Sequence, residues 1–149
     1  IWATILQQVN PDGRVITIDI RDAAQRAREL PLARQCIDFV IGSSTDSATI
    51  RKVKEETAGR TVLVILDALH TRAHVLKELE LYAPLVSVGS YIIVQDSDIN
   101  GHPVLKEYGP GPWEAIEDFL KTTDRFQIDK TRERFLFTMH PNGFLRRVK

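Results

Sequence analysis

The 149-residue sequence predicts an α/β fold whose mostly parallel sheet closes on an antiparallel pair of strands. Three observations predict it. The run Val62-Leu63-Val64-Ile65-Leu66 is apolar throughout, as a strand buried on both faces is, and it stops at Asp67. A second run, Tyr91-Ile92-Ile93-Val94, leads into Gln95-Asp96-Ser97-Asp98. Segments of helical spacing alternate with such runs, which is the punctuation of βαβ units.

Taken in order, Ile1 to Val9 carries apolar residues at 1, 2, 5, 6 and 9, a helical spacing that Asn10-Pro11-Asp12-Gly13 ends in a turn. Arg14 to Ile20 is rich in β-branched residues and reads as a strand closing on Asp19. Arg21 to Leu30 is an Ala- and Arg-rich helix stopped before Pro31. Ile37 to Ile41 is the next strand, and the loop Gly42-Ser43-Ser44-Thr45-Asp46 leads into a helix from about Ser47 to Ala58. After the Val62 strand, Thr71 to Tyr82 places Val75, Leu79 and Tyr82 on one side of a helix that ends at Pro84. Beyond Asp98, Gly and Pro concentrate in Ile99 to Pro103 and Tyr108 to Pro112, a long loop placed to border a site. A helix from Trp113 to Leu120 follows. Two late strands, Phe126 to Asp129 and Phe135 to Met139, are expected to pair antiparallel, the second followed by the turn Pro141-Asn142-Gly143.

Composition narrows the function classes. Twenty basic and twenty acidic residues give a formal net charge of zero, so no basic face points to nucleic acid and no acidic tail to disorder. Arg146-Arg147-Val148-Lys149 reads as a solvated terminus rather than a phosphate-binding patch. The single cysteine, Cys36, cannot form an internal disulfide and is expected to be a buried thiol in a reducing compartment. No apolar stretch is long enough to span a bilayer and no charged-then-apolar leader opens the chain, so a soluble, cytoplasmic protein is the expectation, with homo-oligomerisation left open. The chain opens on Ile1, and its one methionine is Met139, which reads as a single domain lacking its beginning.

In open α/β sheets the ligand site lies outside the carboxyl ends of the strands. Acids at two successive strand ends, Asp67 and Asp96, should therefore share an edge, with His70 beside the first. The competing reading makes both acids caps or turn residues, and His70 a hydrogen-bonding residue at a helix start. A parallel sheet ending in an antiparallel hairpin is also the arrangement of S-adenosylmethionine-dependent methyltransferases.

The segments VLVILDALHTRAHVLKELELYAPLVSVGSYIIVQDSDINGHPV, GPGPWEAIEDFL and FQIDKTRERFLFTMHPNGFLRR resemble, in order, the cephalosporin-hydroxylase-type family that includes rhamnosyl and macrolide-sugar O-methyltransferases. The resemblance covers about Gly13 to Arg147. It implies a Rossmann-like methyltransferase sheet, S-adenosylmethionine as methyl donor, Mg²⁺, and a small-molecule, glycan or glycolipid acceptor. Carried over by position, Asp67 and Asp96 would ligate Mg²⁺, and His70 would be the general base. Gln95 departs from the family, where Glu often precedes this Asp; its neutral amide offers a carbonyl oxygen but less ligand charge, with Asp98 two residues on as a compensating acid. Asp19 matches the acid that binds the donor's ribose, while Ser43, Ser44 and Asp46 lie where its adenine should rest. Competing readings have Asp19 pairing with Arg21 or Arg14 and the serines capping a helix. The resemblance also places a first strand and a Gly-rich loop upstream of Ile1; Gly109 and Gly111, in a later loop, do not replace them.

The chemistry is coherent without the analogy. Methylating a hydroxyl requires its proton to leave as the oxygen attacks, and a hard cation held by carboxylates orients and acidifies a diol. The alternatives are an NAD-dependent oxidoreductase on a similar scaffold and a non-catalytic relative acting as a binding module.

Overall fold

The computed structural model describes residues 1–22 and 24–149, and gathers them into two compact units, 1–55 and 56–149. The first contains α1 (Trp2–Val9), β1 (Val15–Asp19), α2 (Gln25–Arg28), α3 (Pro31–Cys36), β2 (Ile37–Ile41) and most of α4 (Ser47–Thr57). β1 and β2 pair in parallel from Val15 opposite Ile37 to Asp19 opposite Ile41. Arg14 fastens the start of this pair, its Nε and Nη2 donating to the two Asp38 oxygens at 2.9 and 2.7 Å. Gly13 takes up the turn after α1, where a Cβ would run into the Leu6 side chain.

Of the helix expected over Arg21 to Leu30, only Gln25–Arg28 is helical among the described residues, with Ala23 outside them, and a second short helix, Pro31–Cys36, follows. Pro31 does not merely stop the first; it opens the second. A fixed φ and a missing N–H suit the first position of a helix, and Leu30 before it is extended, as the residue preceding a proline tends to be. Cys36 is buried at the end of α3, and its thiol donates to the Leu32 carbonyl at 2.9 Å.

The second unit contains β3 (Val64–Leu66), α5 (Arg72–Tyr82), β4 (Tyr91–Val94), α6 (Pro112–Thr122), β5 (Phe126–Ile128) and β6 (Phe144–Arg147). The sheet order is β3-β4-β6-β5. β3 and β4 are parallel, and β6 runs antiparallel to both β4 and β5. Ile92, Val94 and Leu145 supply the sheet's share of a core completed by Leu79 of α5 and Ile116 of α6. Phe119 of α6 meets Phe126 of β5 with ring centroids 5.6 Å apart.

β3 is shorter and less covered than its apolar run suggested. Among the described residues it pairs with β4 alone and lies at the edge of this sheet; Leu66 is buried, whereas Leu63 is 52% exposed. Ahead of the strand, the Val62 amide donates to Ser87 Oγ rather than to a neighbouring strand.

The last strand corrects the sequence reading. Phe135 to Met139 forms no strand, and Phe135, Leu136, Phe137 and Met139 are all exposed. The strand that pairs with β5 begins after the Pro141-Asn142-Gly143 turn, at Phe144. It buries Leu145 completely while Arg146 faces solvent, an alternation hidden beneath the basic residues of the C-terminus. Arg147 belongs to this strand as well: its Nη1 donates to the carbonyls of Pro84 and Val86. The antiparallel pairing holds, on different residues.

β6 can approach β4 only because residue 143 lacks a side chain. The Gly143 carbonyl accepts from the Val94 amide at 2.9 Å, and a Cβ at 143 would overlap the Val94 carbonyl oxygen. Gly143→Ala should therefore destabilise the protein by about 1–3 kcal/mol, the usual cost of forcing atoms into a filled site, read as a lower urea midpoint.

Candidate active site

The parallel register of β3 and β4, with Leu66 opposite Val94, brings both strands to an end at one edge of the sheet. Asp67 and Asp96 follow there, and the ladder continues one step through the Gln95 amide, which donates to the Leu66 carbonyl at 3.0 Å. His70 lies between the two acids. Its Nδ1 is 3.5 Å from Asp96 Oδ2 and its Nε2 is 3.4 Å from Asp67 Oδ1. One ligand atom from each of the three side chains falls within 4.8 Å of the others. Among the described residues His70 Nε2 is buried without a hydrogen-bond partner, so the Asp67 contact is one of proximity rather than aligned donation.

These donors fit a small hard cation. Carboxylate oxygens gathered from two strand ends suit Mg²⁺, which favours oxygen ligands and keeps several waters. Asp98, the compensating acid of the sequence reading, is buried in the following turn and lies outside this three-residue cluster. Gln95 is adjacent to Asp96 and half-buried.

The backbone that carries His70 rests on the Gly- and Pro-rich loop. The Arg72 amide donates to the Pro110 carbonyl at 3.0 Å, and a Cβ at Gly111 would come within 3.2 Å of the His70 carbonyl oxygen. Glu114, in the first turn of α6, holds that loop together. Its Oε2 accepts from the Gly111 amide at 2.7 Å, and its Oε1 accepts from Asn100 Nδ2 at 2.8 Å and lies 3.1 Å from His102 Nε2. His102 stacks on Trp113 at 4.3 Å between ring centroids, and Asn100 Oδ1 accepts from the Gly109 amide. Burial pushes the Glu114 carboxyl up, but the donors from Gly111, His102 and Asn100 outweigh it and bring the group down to about 2. Sequence reading missed Glu114, although Glu three residues after Gly111 at a helix start is a legible capping spacing. It also missed His140, whose Nδ1 accepts from the Asp96 amide at 3.1 Å from 44 residues away.

In the first unit, Asp19 ends β1 and the Ser43–Asp46 loop follows β2, so the parallel pairing brings them to one edge as expected. Asp19 is exposed, and its Oδ1 accepts from the Arg21 amide at 2.8 Å, closing its own turn. Arg14 pairs with Asp38. Ser43 Oγ lies 3.0 Å from Thr45 Oγ1 and accepts from the Thr45 amide, and Asp46 is exposed.

A parallel pair followed by an antiparallel strand inserted beside it defines the closing half of a Rossmann-like methyltransferase sheet. Solved structures agree on that fold. The MycE methyltransferase of the mycinamycin biosynthetic pathway, in complex with Mg, SAH and mycinamycin VI, aligns with 97% of this chain and 39% of its own at a TM-score of 0.56 and 13% identity. A second MycE structure, with Mg and SAH, gives a TM-score of 0.57. The chain belongs to the rhamnosyl O-methyltransferase/CmcI family, whose model matches residues 1–148. It is 42% identical to the rhamnosyl O-methyltransferases of Mycobacterium tuberculosis and Mycobacterium bovis, across 97% of this chain and 60% of theirs. The corresponding enzyme of Mycobacterium leprae is 38% identical. The chain thus spans about 60% of the length of the curated relatives it matches. Among the described residues no helix is long and apolar enough to cross a membrane.

Because Glu114 is held near 2 against an ordinary value of 4.5, its contribution to stability is complete above about pH 4.5 and is lost as pH falls through 2. Glu114→Gln should lower stability at pH 7 by about 1.5–3 kcal/mol, the range for hydrogen bonds to a charged group. The gap between variant and parent should narrow in melts at pH 3.

Proposed function

We propose that this chain is part of an S-adenosylmethionine-dependent, Mg²⁺-assisted O-methyltransferase acting on a sugar hydroxyl of a glycolipid, polysaccharide or natural product, its two units belonging to one methyltransferase-like domain. The observation that carries the reading is the convergence of Asp67, His70 and Asp96 at one strand edge in a chain of the rhamnosyl O-methyltransferase family. A cytoplasmic site of action accords with the buried free thiol of Cys36.

In this reading Asp67 and Asp96 hold the cation, with the Gln95 amide oxygen as a further ligand. Bound there, Mg²⁺ would orient the acceptor and make its hydroxyl more acidic. His70 takes the hydroxyl proton at Nε2, a buried ring nitrogen without a hydrogen-bond partner among the described residues. The acceptor oxygen forms its bond to the donor's methyl carbon as the carbon–sulfur bond breaks, leaving S-adenosylhomocysteine. Asp19 receives the ribose hydroxyls, exchanging its bond to the Arg21 amide for them, and Ser43, Ser44 and Asp46 border the adenine.

The test separates cation, base and donor. Asp96→Asn should weaken Mg²⁺ binding in calorimetric titration, and Gln95→Glu should tighten it by adding an anionic oxygen. His70→Ala should leave metal affinity largely intact and lower turnover about 10² to 10⁴-fold. If neither carboxylate change alters metal binding, both acids are structural caps and a non-catalytic role is the better description. Asp19→Ala should weaken S-adenosylhomocysteine binding by about 1.5–3 kcal/mol; an unchanged dissociation constant in the folded variant refutes the ribose assignment.

A further inference from the structure

Asp96 carries its carboxylate on a left-handed backbone, φ +51°. That region is uncommon for residues with a side chain, although Asp tolerates it better than most. Three hydrogen bonds tie this stretch to the turn that precedes β6. The Val94 amide donates to the Gly143 carbonyl at 2.9 Å, the Asp96 amide to His140 Nδ1 at 3.1 Å, and Ser97 Oγ to the Pro141 carbonyl at 2.6 Å. The first and third use main-chain acceptors that any residue would offer. The middle bond alone depends on a side chain of the turn, and it is the one made to Asp96.

We propose that His140 is a positioning residue for the cation site: its Nδ1 holds the Asp96 amide, and thereby the backbone that aims the Asp96 carboxylate at His70. The inference rests on reading Asp67, His70 and Asp96 as that site. His140 is itself well braced for the task. Its amide donates to Thr138 Oγ1 at 3.1 Å and its carbonyl accepts from the Gly143 amide at 2.9 Å. The ring stands edge-on to Phe144, the first residue of β6, with centroids 6.1 Å apart. Phe144 lies opposite Ile93 of β4, so the strand that flanks the Asp96 strand also carries its brace. An Nδ1 that accepts a hydrogen bond carries no proton of its own, which puts the proton of a neutral ring on Nε2. Partners that orient a ligand from behind commonly govern metal affinity by 10- to 100-fold.

The test compares two substitutions that both remove the ring and its contact with Phe144. In His140→Asn, Oδ1 is the same number of bonds from Cα as Nδ1 and can accept from the Asp96 amide; in His140→Leu nothing can. Mn²⁺ serves as the probe, with free ion read by electron paramagnetic resonance, and Asp96→Asn is titrated alongside. His140→Leu should bind Mn²⁺ at least about ten-fold more weakly than the parent, and His140→Asn should recover most of that loss. Parent-like binding by His140→Leu, or equal weakness in both variants, overturns the proposal, the latter because ring packing would then be the cause. If Asp96→Asn binds as the parent does, the cation-site reading falls and this inference with it; if Asp96→Asn loses the ion while His140→Leu keeps it, only this inference falls. Should His140→Leu fail to fold, hydrogen exchange in the unsubstituted protein decides: the Asp96 amide should be protected, and exchange at the rate of an open loop overturns the assignment.

Discussion

The close run of β6 against β4 is the constraint on which the second unit depends. At Gly143 the two backbones come so near that no side chain fits between them, and the Val94 amide is satisfied by the Gly143 carbonyl. From that contact the strand continues into its register, Phe144 opposite Ile93 and Leu145 opposite Ile92, with Leu145 and Ile92 both fully buried. The same approach delivers the His140–Pro141 turn to the carboxyl end of β4, where it meets Asp96 and Ser97. The approach of β6 to β4 thus also ties His140 to the backbone amide of Asp96, 44 positions earlier.

A second framework reaches the site from the other side. Glu114 gathers three partners from two stretches of a loop with no regular structure of its own, Asn100, His102 and the Gly111 amide, and Asn100 in turn holds Gly109. A single carboxylate can do this because an ionised acid accepts several hydrogen bonds and each is stronger than one between neutral groups. The loop then presents Pro110 and Gly111 to the backbone of His70 and Arg72. Further along, Arg72 and Asp118 form an ion pair between α5 and α6. His70 is therefore braced along its main chain while, among the described residues, its Nε2 stays without a hydrogen-bond partner.

Where the two units differ is in how far their polar groups are already engaged. Asp19 closes its own turn on the Arg21 amide, and Ser43 bonds within its loop. These groups would exchange local partners for a ligand, which lowers the net gain from each contact. Asp67 and Asp96 instead face a histidine at distances longer than good hydrogen bonds, 3.4 and 3.5 Å, so little has to be given up on binding a cation or a hydroxyl.

The strand ends at Asp19, Asp67 and Asp96 and the helices over Arg72–Tyr82 and Pro112–Thr122 were legible because apolar runs and helical periodicity are local properties, and parallel pairing of consecutive βαβ strands leaves little topological freedom. The meeting of Asp67, His70 and Asp96 followed from that topology alone. Other features were not local. Phe135 to Met139 has the composition of a strand yet stays exposed, while Phe144 to Arg147, basic and terminal, fills the central position between β4 and β5. Composition ranks a segment's willingness to be a strand, but a place in the sheet goes to the segment whose backbone can reach both neighbours, and here that required Gly143. Likewise Pro31 could end one helix or begin another, and only the surrounding chain decided that it begins α3. His140 was invisible for the same reason, and so were the bonds from Glu114 to Asn100 and His102, although its bond to the Gly111 amide has a capping spacing; non-local hydrogen bonds exist only once the tertiary structure has brought donor and acceptor together.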